Sequence, residues 1–266
     1  MIDAPLIELP TFLDGDTVLQ SLDRVLDPEL DESIVELGFV QSIRGNEAGD
    51  VTVELRLPTY WCAANFSYLM ASDARLELLR LPGVRSVTVS LEDHFASEAI
   101  LLGVTPGKSF AETFPDGGPD SLDQTRDLFL RKGYFTRQEI LLRHLKNAGL
   151  TFEEIAALRI GDIQLTEREC SVVGADGQAR PVGEAKVARR YLDRRAELGL
   201  DCSEDAALIV DIGGGAIPAN ELETYYVRAR TTRLAMEANG SLCSALLEAR
   251  NSAKGPIGGP EPQTQR

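Results

Sequence analysis

At 266 residues, 43% of them hydrophobic and 26% charged, the chain has a globular composition and room for one large domain or two ordinary ones. Its net charge of −15 is confined to the first half: residues 1–130 carry 8 Lys and Arg against 23 Asp and Glu, and residues 131–266 carry 19 of each. An acidic half repels phosphate backbones, so no nucleic acid is expected as its partner; the imbalance suits solubility first and a cationic protein partner second.

The apolar stretches, such as Ala206–Ile212, fall well short of the ~20 residues of a membrane-spanning helix. Met1–Pro10 has acidic residues and no Lys or Arg, unlike a secretory or transit signal, so the expected compartment is the cytoplasm. Four cysteines, Cys62, Cys170, Cys202 and Cys243, form no C-x-x-C pair, and no disulfide framework is expected. With His94 and His144 the only histidines, a closed zinc site or four-ligand cluster within one domain is poorly supplied. A metal role for Cys62 would draw on carboxylates or on a second chain, a homo-oligomer included.

In chain order, the spacing of Val18, Leu19, Leu22, Val25 and Leu26 predicts a helix over Asp16–Leu26, capped by Asp16 and stopped by Pro28. Ile34–Ile43 reads as extended, Asn46 and Gly49 as a turn, and Val51, Val53, Leu55 and Leu57 as a half-buried strand, together a hairpin. Asn65–Leu81 is a second helix, ended by Pro82-Gly83, and Val84–Leu91 is a third strand. The fold class expected is α+β: a small helix-strand-strand-helix-strand sandwich over residues 14–104, helices on one face of the sheet.

Gly103–Asp120, rich in Pro and Gly, reads as a linker, bounded as 105–120. Residues 121–250 read as a mainly helical second domain: helices over Leu122–Lys132, Thr136–Ala148 and Thr151–Leu158, with capping-box patterns at Thr136/Glu139 and Thr151/Glu154. A hairpin over Asp162–Leu165 and Glu169–Val173 follows, with Ala175-Asp176-Gly177 nearby as its turn. Beyond it lie a helix over Glu184–Leu198, a strand over Ala207–Asp211, and helices over Ala219–Ala238 and Ser241–Arg250. Residues 251–266 read as a disordered tail. Gly213-Gly214-Gly215 lacks the Lys and Ser/Thr of a phosphate loop and reads as a turn.

Three stretches of the first third share a pattern. They are Asp27-Pro28-Glu29-Leu30 with Ser33 to Val40, Pro58-Thr59-Tyr60-Trp61-Cys62 directly after a strand, and Leu81-Pro82-Gly83-Val84 leading into Val87-Thr88-Val89. In order and spacing this part resembles the MIP18-like and SufT-like iron–sulfur cluster assembly domains (DUF59), a family that includes phenylacetate-pathway accessory proteins serving a di-iron oxygenase. The resemblance implies a non-enzymatic maturation factor whose cargo is iron or a transient iron–sulfur cluster. Its implied partner is a client metalloprotein, with a multicomponent oxygenase component as the client that Pro58-Thr59-Tyr60 suggests.

Cys62 is its implied transfer residue. Set between a strand and a helix, it lies where unpaired backbone N–H groups and the helix dipole favour a thiolate. Asp27 and Glu29 could add carboxylates at the same edge, Thr59 could orient the loop, and His94 could be a further ligand. The relatives commonly have a small residue before the cysteine and a proline after it; here Trp61 precedes it and Ala63-Ala64 follow.

In the second half, Ala148 to Arg159 followed by Asp162-Ile163 is similar to the start of the tyrosine recombinase (phage integrase) catalytic domain. Its first arginine is replaced by Thr151. Arg228 alone could match the second motif, without the histidine, and no tyrosine follows Tyr226. An active recombinase is therefore not expected, and this half reads as a non-catalytic interaction module; DNA binding or a plain scaffold are the alternatives.

Overall fold

The computed structural model describes residues 4–115 and 122–252. The fold class is α+β, as expected. Two compact units divide the chain: residues 1–126 with 238–266, and residues 127–237.

In unit 1, strand β1 (Leu6–Glu8) precedes helix α1 (Gly15–Leu22). Asp14 rather than Asp16 caps α1, accepting from the Thr17 N–H at 2.8 Å. A two-residue pair, β2 (Leu26–Asp27) and β3 (Glu32–Ser33), brackets the Pro28 turn. The expected hairpin is β4 (Val40–Gly45) with β5 (Asp50–Leu55). Its turn is held by Asn46 Oδ1, which accepts from the N–H groups of Ala48 and Asp50, both at 3.0 Å. Helix α2 (Ala64–Leu79) then leads to β6 (Ser86–Leu91), parallel to β5. The sheet order is β1-β4-β5-β6, with β1 parallel to β4.

Period-two alternation buries Val51, Val53 and Leu55 beside Val87, Val89 and Leu91. With Val18 and Leu22 of α1 and Ala71, Ala74 and Leu78 of α2 they form one core. Helix α3 (Ser97–Val104) and the short α4 (Phe110–Thr113) complete this part. Here the linker expectation is corrected. A Ser109/Glu112 capping box sets α4, and Phe110 and Phe114 pack on the unit 1 core, Phe110 at 5.4 Å from the Tyr68 ring. The remainder of that linker, 116–120, lies outside the described residues.

Unit 2 takes most of α5 (Leu122–Asn147), a single helix where two were expected. Thr136 is not its cap: it is buried within the helix beside Met236, and tertiary burial carries the helix through. Thr151 does cap α6 (Phe152–Ala157) through the expected box with Glu154. Strands β7 (Ile163–Leu165), β8 (Glu169–Val173) and β9 (Ala179–Glu184) make a three-stranded antiparallel sheet, with Asp176-Gly177 turning between the last two. Helix α7 (Ala185–Glu197) follows.

The strand expected at Ala207–Asp211 forms only single bridges, Arg159 to Ala207 and Val210 to Ala216. Side chains take its carbonyls instead. Tyr191 OH and Arg195 Nη1 donate to Leu208 O at 2.6 and 2.9 Å; Tyr134 OH and Gln138 Nε2 each donate to Val210 O at 2.8 Å. The glycine turn beyond is folded on Asp211 Oδ1, which accepts from the N–H groups of Gly213 and Gly215.

Helix α8 (Ala219–Ser252) corrects the last two expectations. The break anticipated near Asn239-Gly240 does not occur, and the helix extends through Asn251 and Ser252, which the sequence assigns to a tail; residues 253–266 lie outside the described residues. Its residues from Ala238 on belong to unit 1, so the second domain does not run to residue 250 as expected.

Candidate functional site

The Cys62 loop joins β5 to α2. Leaving β5, the chain passes Leu57, Pro58 and Thr59, and α2 begins at Ala64 with Ala63 as its cap residue, so Cys62 directly precedes the cap. The thiol is half-buried, and its sulfur lies 3.4 Å from the Thr59 hydroxyl oxygen. The Cys62 N–H also donates to Thr59 O, at 3.4 Å.

The loop after β6 clasps the Cys62 loop from the side. Phe95 N–H donates to Tyr60 O at 3.2 Å, and His94 Nε2 donates to Cys62 O at 2.9 Å. The Ala96 N–H donates to His94 Nδ1 at 3.2 Å, which fixes the neutral tautomer with its proton on Nε2. Burial holds the His94 pKa below the ordinary histidine range and Arg250 adds to that, although the bond to Cys62 O works the other way. Both ring nitrogens are thus engaged: His94 grips the backbone of Cys62 instead of offering a nitrogen beside its sulfur.

Asp27 also has structural duties. Its Oδ1 accepts from the N–H groups of Glu29 and Leu30 at 2.8 and 2.9 Å, folding the Pro28 turn. Burial pushes its carboxyl up to about 6; the two N–H bonds oppose the shift, and the charges of Glu29 and Glu32 add to it. Glu29 reaches Asn239 of α8, whose Nδ2 lies 3.3 Å from Glu29 Oε1.

Three participants were not singled out by sequence reasoning. Arg250 is fully buried; Nη1 donates to Leu57 O at 2.6 Å, Nη2 donates to Asp93 O, and the guanidinium pairs with Asp93 Oδ2 at 2.8 Å. Asn239 meets Glu29 as above. Cys243 is half-buried against the unit 1 core, and burial above all, with negative charge on Asp27, Cys62 and Glu29 adding to it, pushes its thiol up to about 11. No local signal announces these residues, since Arg250 and Leu57 are 193 positions apart.

Outside the thiol, Trp61 and Phe95 are 59% and 45% exposed. Their rings stack at 5.8 Å, with Tyr60 edge-on to Trp61 at 4.7 Å. The residue that departs from the family pattern therefore builds an exposed aromatic platform next to Cys62. Among the described residues, no group of three or more His, Cys, Asp or Glu side chains is arranged to hold a metal ion.

A half-buried thiol on a strand-to-helix loop, supported by a small mixed sheet, defines unit 1 as an α+β scaffold presenting one cysteine edge. The family model described as iron–sulfur cluster assembly protein matches residues 15–91. The uncharacterized protein MJ1129 of Methanocaldococcus jannaschii is 30% identical over 83 residues, which are 31% of this chain and 85% of that protein. Through its first third the chain belongs to the iron–sulfur cluster assembly protein family. No solved structure matches the chain. The recombinase resemblance of the second half found no support; Thr151 serves there as a helix cap, and Arg228 lines a concavity of about 320 Å³ with Asp211 and Tyr225. Among the described residues, no helix is long and apolar enough to cross a membrane.

Proposed function

We propose that this protein is a non-enzymatic maturation factor that passes iron or an iron–sulfur cluster to a client metalloprotein through Cys62. The observation that carries the reading is the family match across residues 15–91, with Cys62 on the β5–α2 loop. The half-buried thiol supports it: it is reachable yet held in one place by Thr59 and His94. A donor set too small for a closed site suits transfer better than storage, because a cargo that must leave cannot be fully caged.

The client docks over the Tyr60, Trp61 and Phe95 platform, where large apolar rings ordered before binding can be covered by a partner. The acidic first half favours a client with a basic face. A multicomponent di-iron oxygenase component is the client we favour, on the analogy of Pro58-Thr59-Tyr60 with the phenylacetate branch.

The test is anaerobic loading with ferrous iron and sulfide, then incubation with an apo-ferredoxin whose absorption reports cluster arrival. Wild type is expected to transfer, and Cys62→Ala to lose transfer while keeping its fold. Equal transfer by the two proteins would overturn the reading.

A further inference from the structure

Four backbone carbonyls fix the Cys62 loop, and each has a donor. Arg250 Nη1 donates to Leu57 O at 2.6 Å, and Phe95 N–H to Tyr60 O at 3.2 Å. His94 Nε2 donates to Cys62 O at 2.9 Å, and Ser67 Oγ to Ala63 O at 3.0 Å. His94 Nε2 also lies 3.2 Å from Ser67 Oγ, so the imidazole steadies the start of α2 as well. Three of the four donors thus come from the 94–95 segment and from the last turn of α8.

Those two sources are themselves joined. Asp93, immediately before His94, has a left-handed backbone, φ +53°, a conformation that a non-glycine residue keeps where its surroundings hold it. Arg250 supplies that hold: fully buried, it donates from Nη2 to Asp93 O and pairs with the Asp93 carboxylate at 2.8 Å. The next residue repeats the pattern. Asn251 Oδ1 accepts from Arg56 Nη1 at 3.2 Å, and Arg56 Nη2 lies 3.5 Å from Glu92 Oε1. The end of α8 therefore fastens both chain segments that flank Cys62, residues 56–57 leaving β5 and residues 92–93 leaving β6. Leu247, buried in the unit 1 core, seats that turn.

We propose that Arg250 is a positioning residue for Cys62: by clamping Leu57 and Asp93 together it sets His94 against Cys62 O and so fixes the depth and direction of the thiol. This regulates the site of the transfer reading above and rests on that reading for its use. It also carries the working part of the protein past the family-matched residues 15–91, because α8 lies wholly outside them. Geometry matters here as much as charge. Two of the arginine's contacts are backbone carbonyls on separate segments, which a planar fork meets at once and the single nitrogen of a lysine does not.

The test reads Cys62 itself, on the full chain and without cargo, as the rate of alkylation by neutral iodoacetamide resolved peptide by peptide. In Arg250→Met, Cys62 should react about fivefold faster than in wild type, the local opening that loss of one ordinary hydrogen bond allows. Cys243, half-buried in the same unit, follows general loosening and should gain less; Cys170 and Cys202 of unit 2 should keep their rates. Arg250→Lys should recover part of the protection. His94→Ala should speed Cys62 to a similar degree, and the double variant should be no faster than the faster single one, because the arginine acts through the imidazole. An unchanged Cys62 rate in folded Arg250→Met, an equal gain at Cys243, or independent effects of the two substitutions would overturn the proposal. Should Arg250→Met not fold, Asp93→Asn, which suits the left-handed backbone and leaves Leu57 O its donor, decides by the same criteria. Failure here leaves transfer through Cys62 standing, whereas equal transfer by wild type and Cys62→Ala would sink transfer without altering these rates.

Discussion

Arg250 offers the sharpest test of how the end of α8 is joined to the Cys62 edge. Its guanidinium is fully buried, donates to Leu57 O and Asp93 O, and pairs with Asp93 Oδ2. Asp93 takes a left-handed backbone conformation, φ +53°, which the same arginine braces from two sides. Arg250→Met keeps much of the apolar stem and deletes the charge. Two charge-assisted hydrogen bonds are lost, each worth about 1.5–3 kcal/mol, and Leu57 O is left without its donor. Removing one partner of a buried ion pair costs about 3–5 kcal/mol. Since the Asp93 carboxylate remains partly solvent-accessible, at 24%, the lower part of that range is expected, about 3 kcal/mol.

Trp61 is the only tryptophan and lies in unit 1, so its fluorescence during urea unfolding reads that unit. The midpoint should fall for Arg250→Met and recover partly in Arg250→Lys, which restores a cation without the fork. A loss below about 1 kcal/mol would refute the argument, since a surface ion pair would do as much.

Asp27 should make unit 1 respond to pH. Its folded pKa of about 6 lies above the ordinary 3.8, so its contribution is most favourable below pH 4, declines as pH rises to about 6, and is flat beyond. Asp27→Asn keeps an oxygen for the Glu29 and Leu30 N–H groups; it should match wild type near pH 4 and exceed it by up to about 3 kcal/mol at pH 7. A difference constant with pH would contradict the assignment.

Gly49 has φ +85°, and a Cβ there would lie 2.3 Å from Gly83 O. Gly49→Ala should cost about 1–3 kcal/mol in the same urea assay; a neutral effect would show that the turn yields freely. In unit 2, fully buried Glu139 pairs with Arg233 at 2.5 Å. Arg233→Met should destabilise that unit by about 3–5 kcal/mol, followed by near-ultraviolet tyrosine dichroism, and Glu139→Gln in the same chain should restore part of the loss.

Much of unit 1 was legible because its signals are local. Alternation in Val51–Leu55 and Val87–Leu91 defines strands, Asn46 and Gly49 define a hairpin turn, and Cys62 stands out between a strand and a helix. Those readings depend on neighbours within a dozen positions. What the tertiary structure alone decided depends on contacts across the length of the chain. The helix run through Thr136 and past Gly240 is set by burial that no propensity records, and the 207–211 segment gives its carbonyls to Tyr134, Gln138, Tyr191 and Arg195 in place of a strand partner.

The Cys62 site divides in the same way. The sequence by itself determined its loop and its family, because both lie in one continuous stretch. That His94 grips the Cys62 backbone from 32 positions away and that Arg250 of the last helix reaches Leu57 from 193 were decided only by folding, whereas the turn that Asp27 folds is local, two and three positions long. Burial of Leu247 and the fork of Arg250 hold that helix in place, and neither partner has meaning in the sequence until the other is beside it.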